Sequence, residues 1–268
     1  MAITAETRTV GTMLRAWRTA RGKSQLTLAL EAGVSSRHLS FVETGRSAPS
    51  REMVLTIAEA LEVPLRDRNG LLEAAGFAAI YRETPLEAPS LDDVRAALEH
   101  ILRASEPNPA LVVNRRFDVL MWNDAAMRMF TLLAPRWQGS NVVRCLLSDD
   151  GLRPAIVNWH EVAGHVVRRT RRELTNLRHR EPEDEALLAE LIEVDAKLAP
   201  AAASGDHPAE VLLPLKIRHA GVGLNVFTTI TTLGTPLDIT LQELRIETLF
   251  PADAASREKL SQSLSPSA

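Results

Sequence analysis

Apolar side chains return at helical spacing through the first 82 residues. Val10, Met13, Leu14 and Trp17 form one stripe, closed by Gly22. Ser24 caps a second helix over residues 25–32, in which Leu26, Ala29 and Leu30 are expected to face inward. Gly33 interrupts, Val34 is apolar, and Ser35 caps a third helix that runs to Thr44 and stops at Gly45. Ser50 caps a fourth, with Met53, Val54, Ile57, Ala58 and Leu61 inside. A fifth begins near Pro64, a favoured first-turn residue, and carries Leu65, Leu71, Leu72 and Ala75 before Gly76.

Residues 81–90 contain Pro85 and Pro89 among polar side chains and read as a linker, followed by a helix over 91–105. The period then changes. Residues 110–113 and 117–122 flank Asn114-Arg115-Arg116 as strand, turn and strand. Asn123 or Asp124 caps a helix through Leu133, and helical patterns cover 153–180 and 183–198. Residues 211–219, a Gly221-Val222-Gly223 turn, 224–233 and 243–250 read as a strand meander. The expected class is α+β: an all-α five-helix domain over 1–82, a linker and connecting helix over 83–105, and a domain with an antiparallel sheet over 106–252. A tail over 253–268 is expected to be disordered, frayed from Ser256 onward.

Charge sharpens this division. Residues 8–51 hold eight basic and two acidic side chains, a net +6 inside a chain whose total is −3. A basic module on an acidic remainder suits a polyanionic partner. The longest apolar runs, such as 109–113, fall far short of the ~20 residues of a membrane helix. Residues 1–11 lack a secretory apolar region, and the lone Cys145 cannot form an internal disulfide. A soluble cytoplasmic protein with no membrane partner is the expectation.

Residues 25–42 have the spacing of a DNA-binding helix-turn-helix. Ala29 is small where two helices cross, and Gly33 supplies the positive φ of the turn. Val34, Leu39 and Val42 bury the inner side of the second helix, leaving Ser35, Ser36, Arg37, Ser40 and Phe41 in or near its outward first turns. Such side chains reach base edges when the helix lies in the major groove. Arg37 can donate a fork to guanine; Phe41 can meet a thymine methyl or simply pack. Gln25, Arg46 and N-terminal arginines such as Arg15 suit phosphates.

On these residues the chain resembles a known family. Ser24-Gln25-Leu26, Glu31-Ala32-Gly33-Val34-Ser35, Leu39-Ser40, Glu43-Thr44-Gly45-Arg46 and Pro49-Ser50 are similar to the XRE family of phage-repressor-like regulators over about residues 10–77. The family often carries Glu-Glu where Thr27-Leu28 stand here. The resemblance implies a five-helix domain that binds operator DNA as a homodimer. Further on, Gly151-Leu152-Arg153-Pro154 with Ile156-Val157-Asn158-Trp159 resemble the MmyB-like ligand-binding domain. So do residues 231–238 with Glu243-Leu244-Arg245-Ile246-Glu247. That domain is PAS-like and sits behind an XRE helix-turn-helix. The resemblance implies a transcription regulator sensing a small, fatty-acid-like effector.

Independently, a sheet with helices on one face can enclose an apolar pocket. The candidates are Met121, Trp122, Phe130, Trp159 and Phe227, with Val113, Met127, Val162, Val166 and Ile230, each open to the alternative of ordinary core. Asn158, His165 and Arg169 could orient a carboxylate, although Arg168-Arg169 with Arg171-Arg172 read as a solvated helix face rather than an anion site. No catalytic or metal residue is expected. His160 and His165 stand five apart and diverge by ~140° on a helix, unlike the four-apart pair of zinc proteases. Lys216 has no nucleophile-like serine before it, Gly221-Val222-Gly223 lacks a dinucleotide loop's setting, and Cys145 reads as a small buried hydrophobe. The expected cofactor is none, apart from a bound fatty acid or similar apolar ligand. The alternative is a constitutive repressor whose C-terminal domain only dimerises.

Overall fold

The computed structural model describes residues 9–176, 180–202, 212–219 and 222–263. The chain forms two compact units. The N-terminal one runs to Glu83 and also takes in Pro236–Gln242; the second holds Thr84–Thr235 and the chain from Glu243 onward.

The N-terminal unit is built from α1 (Val10–Ala20), α2 (Gln25–Glu31), α3 (Ser36–Glu43), α4 (Arg51–Ala60) and α5 (Leu65–Ala74). Serine caps start three of them: Ser24, Ser35 and Ser50 each accept from the backbone N–H three residues on. Gly22, Gly33, Gly45 and Gly76 end helices at positive φ. The core gathers Leu14, Trp17, Leu28, Ala29, Leu39, Val42, Val54, Ile57, Leu61, Leu71 and Leu72.

The inward arc of α2 differs from expectation. Leu28, Ala29 and Ala32 are buried, whereas Leu26 and Leu30 are 62% and 75% exposed. At ~100° per residue Leu28 and Ala32 lie together on one flank of Ala29 and Leu26 and Leu30 on the other, and it is the first flank that packs into the core.

Gly11 on α1 sets the approach of α1 to α3. A Cβ there would lie 2.1 Å from the Val42 carbonyl oxygen, an atom that cannot swing aside. Gly11→Ala, which would favour an isolated helix by ~1 kcal/mol, is therefore expected to destabilise this unit by ~1–3 kcal/mol. Thermal unfolding of the variant checks the sign.

Pro236–Gln242 completes the unit. The Ile239 N–H donates to the Arg82 carbonyl at 2.8 Å. Pro64 offers α5 no side-chain cap, and the Leu65 N–H instead donates to Gln242 Oε1 at 2.7 Å. The sequence pattern places these residues in the second domain with no helix; the structure instead packs 236–242 into the N-terminal unit and forms the short helix α11 (Ile239–Glu243).

The second unit opens with a 3-10 turn, Pro89–Leu91, and α6 (Asp92–Ala104). Its sheet runs β2-β1-β5-β4-β3, antiparallel throughout, with β1 (Ala110–Val113), β2 (Val119–Trp122), β3 (Leu215–His219), β4 (Val222–Thr231) and β5 (Arg245–Pro251). β1, an interior strand, is buried along its length. Five helices join the sheet: α7 (Asp124–Leu133), capped by Asn123, α8 (Val142–Leu147), capped by Asn141, α9 (Trp159–Asn176), α10 (Pro182–Ala202) and α12 (Ala254–Ser263).

Several boundaries move from those expected. Phe117 sits at φ 66° in the turn before β2 rather than in the strand. The helix expected from residue 153 is a 3-10 turn at Arg153–Ala155, after which Ile156 bridges to Ile217 and α9 starts at Trp159. Residues 254–263 form α12 instead of fraying, because Leu260 is buried in the core and the Asn225 N–H donates to Ser256 Oγ. Gly221 of the expected turn lies outside the described residues, as do 264–268 and most of 1–11.

Candidate functional site

The outer side of α3 is the first site. Ser35 Oγ accepts from the His38 N–H at 3.1 Å and fixes the start of the helix. Leu39 and Val42 bury the inner side, so Ser36 and Arg37 project into solvent, with Ser40 and Phe41 half-exposed beside them. The Arg37 guanidinium lies 5.4 Å over the Phe41 ring, so the two side chains form one surface. Beyond the helix, the Phe41 carbonyl accepts from the Arg46 N–H at 2.8 Å, which folds the chain back and leaves Arg46 exposed. Arg15 is exposed on α1.

Gln25 has a structural partner that sequence reasoning missed. Its amide Nε2 donates to Glu43 Oε2 at 2.8 Å, while Arg18 donates to both carboxylate oxygens at 2.7 and 2.8 Å. Burial pushes the Glu43 carboxyl up, but the bonds from Arg18 and Gln25 and the charges of Arg18 and Arg15 outweigh this and hold it below its ordinary value. This buried carboxylate ties α1 and α2 to the end of α3 and sets the angle at which α3 is presented. The one hint in the sequence is an acid inside a stretch otherwise dominated by base.

The second site is a cavity of about 370 Å³ in the second unit. Val162, His165, Val166, Arg169 and Thr170 supply one wall from a single stripe of α9. Leu215, Ile217, Thr228, Ile230, Glu247 and Leu249 come from the sheet, and Met129, Phe130, Leu133, Val143 and Leu146 from α7 and α8. The size is at the lower end of small-molecule sites, and the lining is mostly apolar, as such sites are.

The sequence-derived candidates separate here. Phe130, His165 and Phe227 border the cavity, and the Phe227 ring also stacks on Phe250, its paired neighbour on β5. Met121, Trp122 and Met127, again with Phe130, line an open groove of about 610 Å³ instead. Trp159 lies outside both linings; its indole N–H donates to the Leu146 carbonyl at 2.9 Å, and Arg153 sits 4.2 Å over its ring. Asn158 serves the backbone: its Nδ2 donates to the Pro214 carbonyl and its Oδ1 accepts from the Lys216 N–H, which pins the entry to β3. His160 packs edge-on against Trp159 and His165 borders the cavity, so the two imidazoles do not converge. Cys145 is buried, which pushes its thiol up to about 11 and keeps it protonated. Thr170 and Glu247, polar members of the lining, were not anticipated.

A helix-turn-helix family model matches residues 14–67. The model of the MmyB-like transcription regulator ligand binding domain matches residues 94–262, more than half of the chain. No curated protein matches. Among solved structures, the restriction-modification controller protein C.AhdI from Aeromonas hydrophila is 36% identical over 24% of this chain and 97% of its own, with a TM-score of 0.22. An RNA-binding light-oxygen-voltage receptor is 12% identical over 97% of this chain and 63% of its own, with a TM-score of 0.26. With α3 presented on a basic module and the matched ligand-binding domain behind it, the chain belongs to the MmyB-like transcription regulators and is a helix-turn-helix DNA-binding protein.

Proposed function

We propose that this regulator binds a pseudo-palindromic operator as a homodimer and that a small apolar or fatty-acid-like molecule in the 370 Å³ cavity controls it. The observation that carries the DNA half is the division of α3, with Leu39 and Val42 buried and Ser36 and Arg37 exposed, joined by half-exposed Ser40 and Phe41. Two such helices about one DNA turn (~34 Å) apart read successive major grooves. Arg37 and Phe41 face the bases. Arg15, Arg46, Ser35 and the second N–H of the Gln25 amide face phosphates and set register. The ligand can act only by binding the DNA-competent state and another state with different affinities.

Operator fragments selected from genomic DNA provide the test. Arg37→Ala is expected to lose ~1–3 kcal/mol of discrimination between the selected operator and mismatched sites. Arg46→Ala should weaken all sequences alike and lower the salt slope by about one. Equal effects on operator and random DNA would remove the base-reading role of Arg37. For the cavity, mass spectrometry of an organic extract of purified protein is expected to recover an apolar small molecule whose addition shifts operator affinity. An empty extract together with operator binding indifferent to added ligands would favour a constitutive repressor.

A further inference from the structure

The cavity is apolar around most of its lining, but its polar end has an unusual balance. Thr170 on α9 is fully buried, and its Oγ1 has no hydrogen-bond partner among the described residues. A helical threonine normally satisfies its hydroxyl on the carbonyl four residues back; here that bond is not made, and a buried hydroxyl left alone is costly. Glu247 lines the same cavity from mid-sheet, paired with Leu111 on β1 and Ile230 on β4. It has no side-chain hydrogen bond among the described residues. Burial pushes its carboxyl up, only partly opposed by the Arg169 and Arg245 charges.

Those two arginines are committed elsewhere. Arg169 Nε donates to Glu173 Oε1 at 3.0 Å, and Arg245 Nη1 donates to Glu173 Oε2 at 2.6 Å. Both guanidiniums also lie over the Phe117 ring, at 5.8 and 5.2 Å. Arg169 and Glu247 line the cavity and Arg245 and Glu173 stand behind that lining, so its surroundings set two cations against two carboxylates, with His165 one helical turn before Arg169. A ligand carboxylate would be a third anion in a desolvated place whose cations are already paired. Among the described residues Glu247 has no donor and the Thr170 hydroxyl has no partner. A hydroxyl supplies a donor and an acceptor together, and a primary amide does the same.

We propose that the occupant of this cavity is an uncharged apolar molecule ending in a hydroxyl or primary amide, seated against Thr170 and Glu247, rather than a free carboxylate. This rests on the ligand-sensing reading above and narrows its chemistry.

The test is calorimetric titration of the full chain with 1-decanol, decanamide and decanoate at a pH where decanoate is ionised. Decanol and decanamide are expected to bind, with decanoate at least ~10-fold weaker because it desolvates an unpaired charge. Glu247→Gln should bring decanoate to within ~2-fold of decanol by removing the opposing carboxylate. Thr170→Val, which keeps the side-chain shape, should weaken decanol by ~5-fold. It carries the test alone if the Glu247 variant does not fold. Decanoate binding as tightly as decanol, with no change in either variant, overturns the neutral-ligand assignment and leaves the cavity a ligand site. If none of the three probes binds, the ligand-sensing reading fails, and this inference with it.

Discussion

Replacing Glu43 by alanine is expected to lower the stability of the N-terminal unit by about 3–5 kcal/mol, the usual cost of removing one partner from a buried ion pair. The carboxylate is 1% exposed and Arg18 is 13% exposed, so the guanidinium left behind cannot recover full hydration. Gln25 would lose its acceptor at the same time. Denaturant unfolding measures the loss. Operator affinity should fall with it, since the same three side chains fix the angle of α3. The pH dependence has a definite sign. The Glu43 pKa is lower in the folded unit than in the unfolded chain. Its contribution is therefore fully present above the unfolded value of ~4.3 and is lost as pH falls through the folded one. Wild-type protein should lose stability on acidification in that range, and Glu43→Gln should flatten the profile there.

Arg115→Ala should cost the second unit a similar ~3–5 kcal/mol. This arginine stands in the turn before β2, 7% exposed, and reaches Asp184 at 2.6 Å with Glu181 and Glu243 at 3.3 Å. Asp184 is wholly buried near the start of α10, where its Oδ2 also accepts from the Glu181 N–H at 2.8 Å. Without Arg115, a buried carboxylate loses its nearest cation and the start of α10 loses its anchor. Chemical denaturation provides the measurement. Replacing Arg115 and Asp184 together with Met and Leu should recover part of the loss, because the stranded charge goes with the pair.

The helix-turn-helix was legible because its signals are local: serine caps three residues from the N–H they satisfy, glycines at helix ends, and apolar spacing. Glu43, Gly11 and Arg115 were not legible, for one physical reason. An acid or a base on a helix or turn reads as surface, and a glycine near a helix start reads as weak propensity. Only the partner brought from another element shows that each is buried or in close contact. The same holds for α2, where hydrophobicity alone turns Leu26 and Leu30 inward while the packing of the bundle buries the other flank of Ala29, through Leu28 and Ala32. In the second unit, Thr170 and Glu247 come from a helix and a strand far apart in the chain, and their meeting at one cavity has no sequence signature. Trp122 and Trp159 drew attention as rare aromatics, yet one lines the open groove and the other holds a backbone carbonyl.

Pro236–Gln242 bears on the order in which this protein can mature on the ribosome. Domains generally fold as they emerge, first segment first. Here the acceptor for the Leu65 N–H is Gln242, so the start of α5 stays uncapped until strands β1 to β4 have already been synthesised. A nascent chain arrested at Glu83 would hold five helices and still lack their last strut. Arrest and release at successive lengths should show protease resistance of that region rising a second time as residue 242 clears the exit tunnel.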